Sequence, residues 1–185
     1  MGLDITAYSN LQHIGLHQFD LEENEGEPGP WCFDEDHVQA FAYDSFPRSF
    51  RGIPILAAPT GFPAQFLFGG CFAMTEGTDV HRFHAGSYGG YNQWRSNLAD
   101  QFNPAPVTAG LRPSMAEPDP DRPFYELIWF ADNEGSIGAK AAADLLEDFR
   151  THEATYRPAW DGDTKYKAWM RACELAAQSG LIRFH

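Results

Sequence analysis

Thr78-Asp-Val-His-Arg-Phe-His-Ala-Gly-Ser-Tyr-Gly-Gly-Tyr-Asn-Gln-Trp-Arg-Ser-Asn-Leu-Ala-Asp-Gln-Phe102 changes its hydrophobic period half-way along, and that change sets the fold class. From Thr78 to Ala85 side chains alternate, which predicts a strand with Arg82 and His84 on one face. From Tyr91 onward the large residues Tyr91, Trp94, Leu98 and Phe102 recur at helical steps. Ser87 is the expected N-cap of a helix running to about Gln101.

Working outward, Leu3, Ile5 and Ala7 alternate with Asp4 and Thr6 and predict an opening strand. Gly52 to Ala58, with prolines nearby, fits an edge strand, and Gln65 to Phe72 a strand that turns at Gly69-Gly70. Phe124 to Ala131 is nearly all apolar from Leu127 to Phe130 and predicts a central strand. Helices are expected over about Gly138 to Glu153 and Asp163 to Gln178, the second with Tyr166, Trp169, Met170 and Cys173 on its buried face. Gly180 sits where a C′ glycine belongs, before a short closing strand at Leu181 to Phe184. A further short helix is expected between Asp36 and Phe46. Residues 20–36 read as an acidic loop and 103–123 as a Pro/Asp-rich loop. The expectation is one α+β domain over residues 1–185, a mixed or antiparallel sheet with three main helices packed on it.

Composition narrows the function. Apolar residues make up 43% and charged residues 21% of 185, which excludes wholesale disorder. Aspartate and glutamate number 26 against 13 lysines and arginines. Such a surface repels phosphate polymers and anionic lipid, so direct nucleic-acid binding is not expected. An excess of carboxylates also suits an acidic interaction protein or DNA mimic, with residues 20–36 as the masking loop. Cys32, Cys71 and Cys173 lack CxxC spacing, which disfavours a disulfide framework or a zinc site and suits a reducing cytosol. Met1-Gly-Leu-Asp4 lacks the pattern of a signal peptide, and no apolar window approaches the ~18 residues of a membrane helix. A cytoplasmic setting follows, with no membrane partner, while a homo-oligomer stays open.

Three segments carry a resemblance: Met1-Gly-Leu-Asp-Ile-Thr-Ala-Tyr-Ser9, Gly86-Ser-Tyr-Gly-Gly-Tyr-Asn-Gln-Trp-Arg95 and Glu126-Leu-Ile-Trp-Phe-Ala-Asp-Asn-Glu-Gly-Ser-Ile-Gly138. Together they resemble a family of small bacteriophage, prophage and bacterial proteins with no established activity. The resemblance implies a bacterial or phage-infected cytoplasm. Family members tend to carry arginine where this chain has His84.

The functional features concentrate between His81 and Arg95. Free N–H groups at a helix N-terminus favour phosphate or carboxylate, and the glycines of Gly86-Ser-Tyr-Gly-Gly90 let a ligand approach the backbone. Arg82, His84 and Arg95 supply cations, Ser87 and Gly89 the turn, and Tyr88 and Tyr91 stacking surfaces. The expected function is binding of a small anionic, nucleotide-like molecule, in phage form the sequestering of a host signal, rather than catalysis. No GxGxxG or GKS/T pattern accompanies the segment, and no cofactor or metal is expected. The competing enzyme reading is a metal-assisted hydrolase using Asp132 and Glu134, with Glu126 on the strand before them. His13 and His17, with His37 and Asp34 or Asp36 near them, read as scattered surface groups, and Cys71 as a structural thiol.

Overall fold

In the first strand, β1 (Gly2–Tyr8), Leu3, Ile5 and Ala7 are wholly buried on one face; on the other Asp4 is exposed, while Thr6 and Tyr8 are buried as well, so the strand is covered on both faces from Ile5 onward. The computed structural model describes residues 2–16, 55–58, 70–104, 118–129, 135–160 and 162–185. β1 pairs antiparallel with β5 (Val80–Ser87) on one side and with β7 (Leu181–Phe184) on the other. β6 (Gly135–Gly138) then adds to β7, giving the order β5-β1-β7-β6 with every pair antiparallel. The last strand of the chain therefore lies inside the sheet.

The pairing fixes which side chains are neighbours. Ile5 stands opposite Phe83 and Phe184, and Thr6 opposite Arg82 and Arg183. Rows that alternate in this way put the apolar set on one face and the polar set on the other. Between Leu3 and Asp4 the register slips, because Ala85 of β5 has no opposite number.

Three helices cover the apolar face: α1 (Tyr88–Phe102), α3 (Ala139–His152) and α4 (Lys165–Ala176). Trp169 of α4 stacks on Trp94 of α1 at 6.0 Å and on Tyr91 at 5.9 Å. Phe124, Phe149 and Tyr166 form a second ring cluster beside them. The molecule is thus α+β, with three main helices on an antiparallel sheet, as the sequence indicates. No helix among the described residues is long and apolar enough to cross a membrane.

A second, three-stranded antiparallel sheet has the order β2-β4-β3, with β2 (Gln12–Leu16), β3 (Ile55–Ala58) and β4 (Gly70–Ala73). Among the described residues β3 lies at the edge, where the prolines that flank it in sequence, Pro54 and Pro59, place it. Tyr8 and Leu181 from the first sheet pack with Leu11 and Phe72 to join the two.

Of the expected Phe124 to Ala131 strand, the described residues, up to Trp129, form no strand. Residues Tyr125–Trp129 make a one-turn helix, α2. A short apolar run has no period that separates strand from helix, and a distant side chain decides the matter here. Arg95, 1% exposed, donates from Nε to the Leu127 carbonyl at 2.8 Å and from Nη2 to the Ile128 carbonyl. Those carbonyls have no partner within so short a helix, and the guanidinium supplies one. Phe124 enters the turn at φ 61°, a left-handed value unusual for a bulky residue, and its N–H is held by Asp148 Oδ2 at 2.7 Å.

The expected C′ role of Gly180 is also corrected. Ser179 takes the left-handed φ of 54° after α4. Gly180 is required for another reason: a Cβ there would lie 1.8 Å from the Tyr8 carbonyl oxygen. The expected Asp36 to Phe46 helix and the loops at 20–36 and 105–117 lie outside the described residues.

Candidate functional site

The polar face of the four-stranded sheet collects Asp4, Thr6 and Tyr8 from β1, Arg82 and His84 from β5, and Arg183 and His185 from β7 and the residue after it. A hollow of about 460 Å³ opens on this face and is lined by Asp4, Thr6, Tyr8, Arg82, His84 and His185 among others. Cavities of this size match small-molecule sites.

Arg82 and Arg183 flank Thr6 from the two neighbouring strands. Two inter-strand spacings put their Cα atoms about 10 Å apart. Arginine side chains span that gap easily. Tyr8 lies near both. Burial pushes its phenol pKa up, and the guanidiniums of Arg183 and Arg82 pull it back. Burial in turn lowers the pKa of Arg183, and Tyr8 opposes that. Among the described residues neither guanidinium is ion-paired with a carboxylate, although Arg122, Arg150, Arg171 and Lys167 all are.

One row along, His84 Nδ1 meets Asp4 Oδ1 at 2.9 Å. The imidazole lies over Gly2, where an added Cβ would come within 2.1 Å of its Cε1. His185 sits across β1, its backbone paired with that of Asp4 and its Nε2 3.1 Å from Thr6 Oγ1. No family model, curated protein or solved structure matches the chain.

The expected segment is split by the fold. Arg82 and His84 reach the hollow, on one face as the alternation requires. Ser87 caps α1 by accepting the Gly90 N–H at 3.1 Å, so it is a structural cap. Tyr88 packs against the core, and Gly89 is exposed beside it at the start of α1, away from the lining of the hollow. Tyr91 and Arg95 are corrected outright. Tyr91 is stacked inside the core, and Arg95 is spent on Leu127, Ile128 and Asn92. A cation and an aromatic four residues apart share a helix face, and this face is the buried one.

Asp4, Thr6, Tyr8, Arg183 and His185 are absent from the sequence-derived site. Their signal is the polar half of the alternation in β1 and β7.

The remaining candidates fare differently. Asp132 and Glu134 lie outside the described residues. Glu126 is on α2, not on a strand leading to them, and is buried at 6% exposure against α3. Burial pushes its carboxyl pKa up to about 7, and Asp148 and Asp144 add to the rise. Among the described residues no three His, Cys, Asp or Glu side chains are grouped to hold a metal ion. His13 makes a tilted ring contact with Phe72 at 5.2 Å, while His17, His37, Asp34 and Asp36 are outside the described residues. The thiol of Cys173 is fully buried and its pKa is raised by that burial; the Cys71 side chain is not among those described.

Proposed function

We propose that the polar face of the four-stranded sheet binds a small, phosphate-bearing anion of nucleotide type, and that the protein acts in the cytoplasm by holding it. The observation that carries this reading is the pair Arg82 and Arg183 flanking Thr6, with Arg82 and Thr6 lining a hollow of about 460 Å³, Arg183 one strand over outside its lining, and no carboxylate paired to either guanidinium among the described residues. Two guanidiniums at that spacing suit the oxygens of one phosphodiester or of a diphosphate, since each offers a planar fork of donors. The Thr6 hydroxyl and the imidazole rings add hydrogen bonds at the floor and rim. Small phosphates can enter where a long polynucleotide is repelled, because the excess of acids acts at long range and the arginines at short range.

The ligand class is the one expected from the sequence, seated on the sheet rather than at the helix N-terminus. Tyr91 has no stacking role there. A phage-type sequestering protein acting on a nucleotide signal of the host is the biological form this proposal takes. Calorimetry against inorganic pyrophosphate, mononucleotides and cyclic dinucleotides tests it. Saturable heat that falls at least tenfold in affinity for both Arg82→Ala and Arg183→Ala supports the site. Absence of heat for every ligand, or binding indifferent to both substitutions, refutes it.

A further inference from the structure

We propose that this same face cleaves the phosphodiester it holds when a ribose 2′-hydroxyl adjoins the phosphorus, with His84 and His185 as the acid–base pair; the proposal rests on the anion-binding reading above. The placement of the two imidazoles carries it. They flank Asp4 from opposite strands on the polar face, in the row next to the arginines that flank Thr6. Consecutive residues on one face of a strand are about 7 Å apart, the scale of one phosphodiester with its two ester oxygens.

Each ring is held. His84 Nδ1 is bonded to Asp4 Oδ1 at 2.9 Å, and an ionised carboxylate only accepts, so Nδ1 carries the hydrogen and Nε2 is left for transfer. Gly2 beneath the ring makes room for that orientation. A carboxylate that orients an imidazole and faces its protonated charge is a recurring device of proton-transfer catalysis. His185 is placed by backbone bonds on both sides of Asp4, N–H to carbonyl at 3.0 and 3.4 Å, and by its Nε2 contact with Thr6 Oγ1 at 3.1 Å.

The reaction needs no co-reactant. The His185 imidazole takes the proton of the 2′-hydroxyl, and the O2′–P bond forms as the P–O5′ bond breaks. The electron pair of the broken bond leaves on O5′, which receives the proton from His84. The products are a 2′,3′-cyclic phosphate and a free 5′-hydroxyl. Arg82 and Arg183 bind the non-bridging oxygens, where charge accumulates during transfer. The acid-rich chain, with 26 carboxylates to 13 cations, selects against long RNA and for dinucleotides or cyclic dinucleotides.

The test uses the full chain with the ribodinucleotides ApA and UpU and their 2′-deoxy counterparts, in EDTA, with chromatography for products and calorimetry for binding. The expected result is 2′,3′-cyclic phosphate from the ribose forms only. Cleavage falls by ~100-fold or more in His84→Gln and in His185→Gln, within the range of acid–base catalysis. Both variants still bind the deoxy dinucleotides through Arg82 and Arg183, with affinity lowered far less than cleavage, and their thermal unfolding confirms that they fold. Deoxy dinucleotides that bind through Arg82 while the ribose forms stay intact overturn the cleavage and leave the binding reading standing. Cleavage that persists in the double variant His84→Gln/His185→Gln also overturns it. No binding of any dinucleotide removes both readings together.

Discussion

Replacing Arg95 with methionine separates a structural cation from a ligand-binding one. Methionine keeps much of the apolar stem and removes the head that donates to the Leu127 carbonyl at 2.8 Å, to the Ile128 carbonyl and to Asn92 Oδ1 at 2.8 Å. Two buried carbonyls then lack donors, at about 1–3 kcal/mol each. The stacking of the guanidinium over Tyr91, at 5.4 Å, is lost as well. Against this, a charge no longer has to be taken out of water, which returns part of the cost. The balance is a destabilisation of about 3 kcal/mol, or roughly 6–12 °C in Tm for a chain of this length. Urea and thermal unfolding followed by circular dichroism and tryptophan fluorescence measure it. Below its lowered Tm, Arg95→Met should bind pyrophosphate as the parent does. A variant with unchanged stability and abolished binding would refute this reasoning, because Arg95 would then face the ligand.

Glu126→Gln should change how stability depends on pH. The folded carboxyl titrates at about 7 against 4.5 for an ordinary glutamate, so between those values the native state holds a proton the unfolded chain has released, and stability falls as pH rises. At 1.36 kcal/mol per unit this reaches about 3 kcal/mol above pH 7. Glutamine should therefore stabilise by about 1–3 kcal/mol at pH 8 and little at pH 4.5. Equal effects in urea titrations at both pH values would contradict the burial argument. Gly180→Ala should cost about 3 kcal/mol or more, since its Cβ would sit 1.8 Å from the Tyr8 carbonyl oxygen and two backbones must part; a melting temperature like the parent's would show the approach to be looser. Cys173 should resist thiol reagents in the native state, being buried with its pKa raised, and react only on unfolding, as mass mapping of labelled peptides can follow.

Much of the fold was legible because its signals are local. The switch from alternation to helical spacing at Ser87 marks the boundary between β5 and α1. Leu3, Ile5 and Ala7 identify β1, and the spacing of Tyr166, Trp169 and Cys173 identifies α4. What failed was settled by partners distant in sequence. Leu127 and Ile128 are helical because Arg95, 32 and 33 residues earlier, takes their carbonyls. Gly180 is needed because Tyr8 arrives beneath it. Half of the candidate site was hidden for the same reason. Arg82 and His84 show themselves by alternation, whereas Asp4, Thr6, Arg183 and His185 join them only once β1 is known to lie between β5 and β7. Tyr91 and Arg95, four residues apart, with Leu98 three and Ala99 four residues beyond Arg95, lie on one buried stripe of α1 and not at the ligand.

The contrast among the cations gives the sheet face its meaning. Among the described residues five cations are answered by a nearby carboxylate, Arg122 by Asp119, Arg150 and Arg171 by Glu174, Lys167 by Glu153 and Lys165 by Asp163, and two more, Arg95 and Arg157, donate to carbonyls. Such pairs at the surface contribute little stability and leave little field behind. Arg82 and Arg183 instead stand on either side of Thr6 and act on the Tyr8 phenol, a neutral group that does not cancel their charge. Screening in physiological salt acts over about 8 Å, so carboxylates elsewhere on the surface do not neutralise the pair for a ligand in contact with it. An excess of acids spread over the whole chain and two arginines aligned on one sheet face are therefore compatible, and together they favour a small anion over a large one.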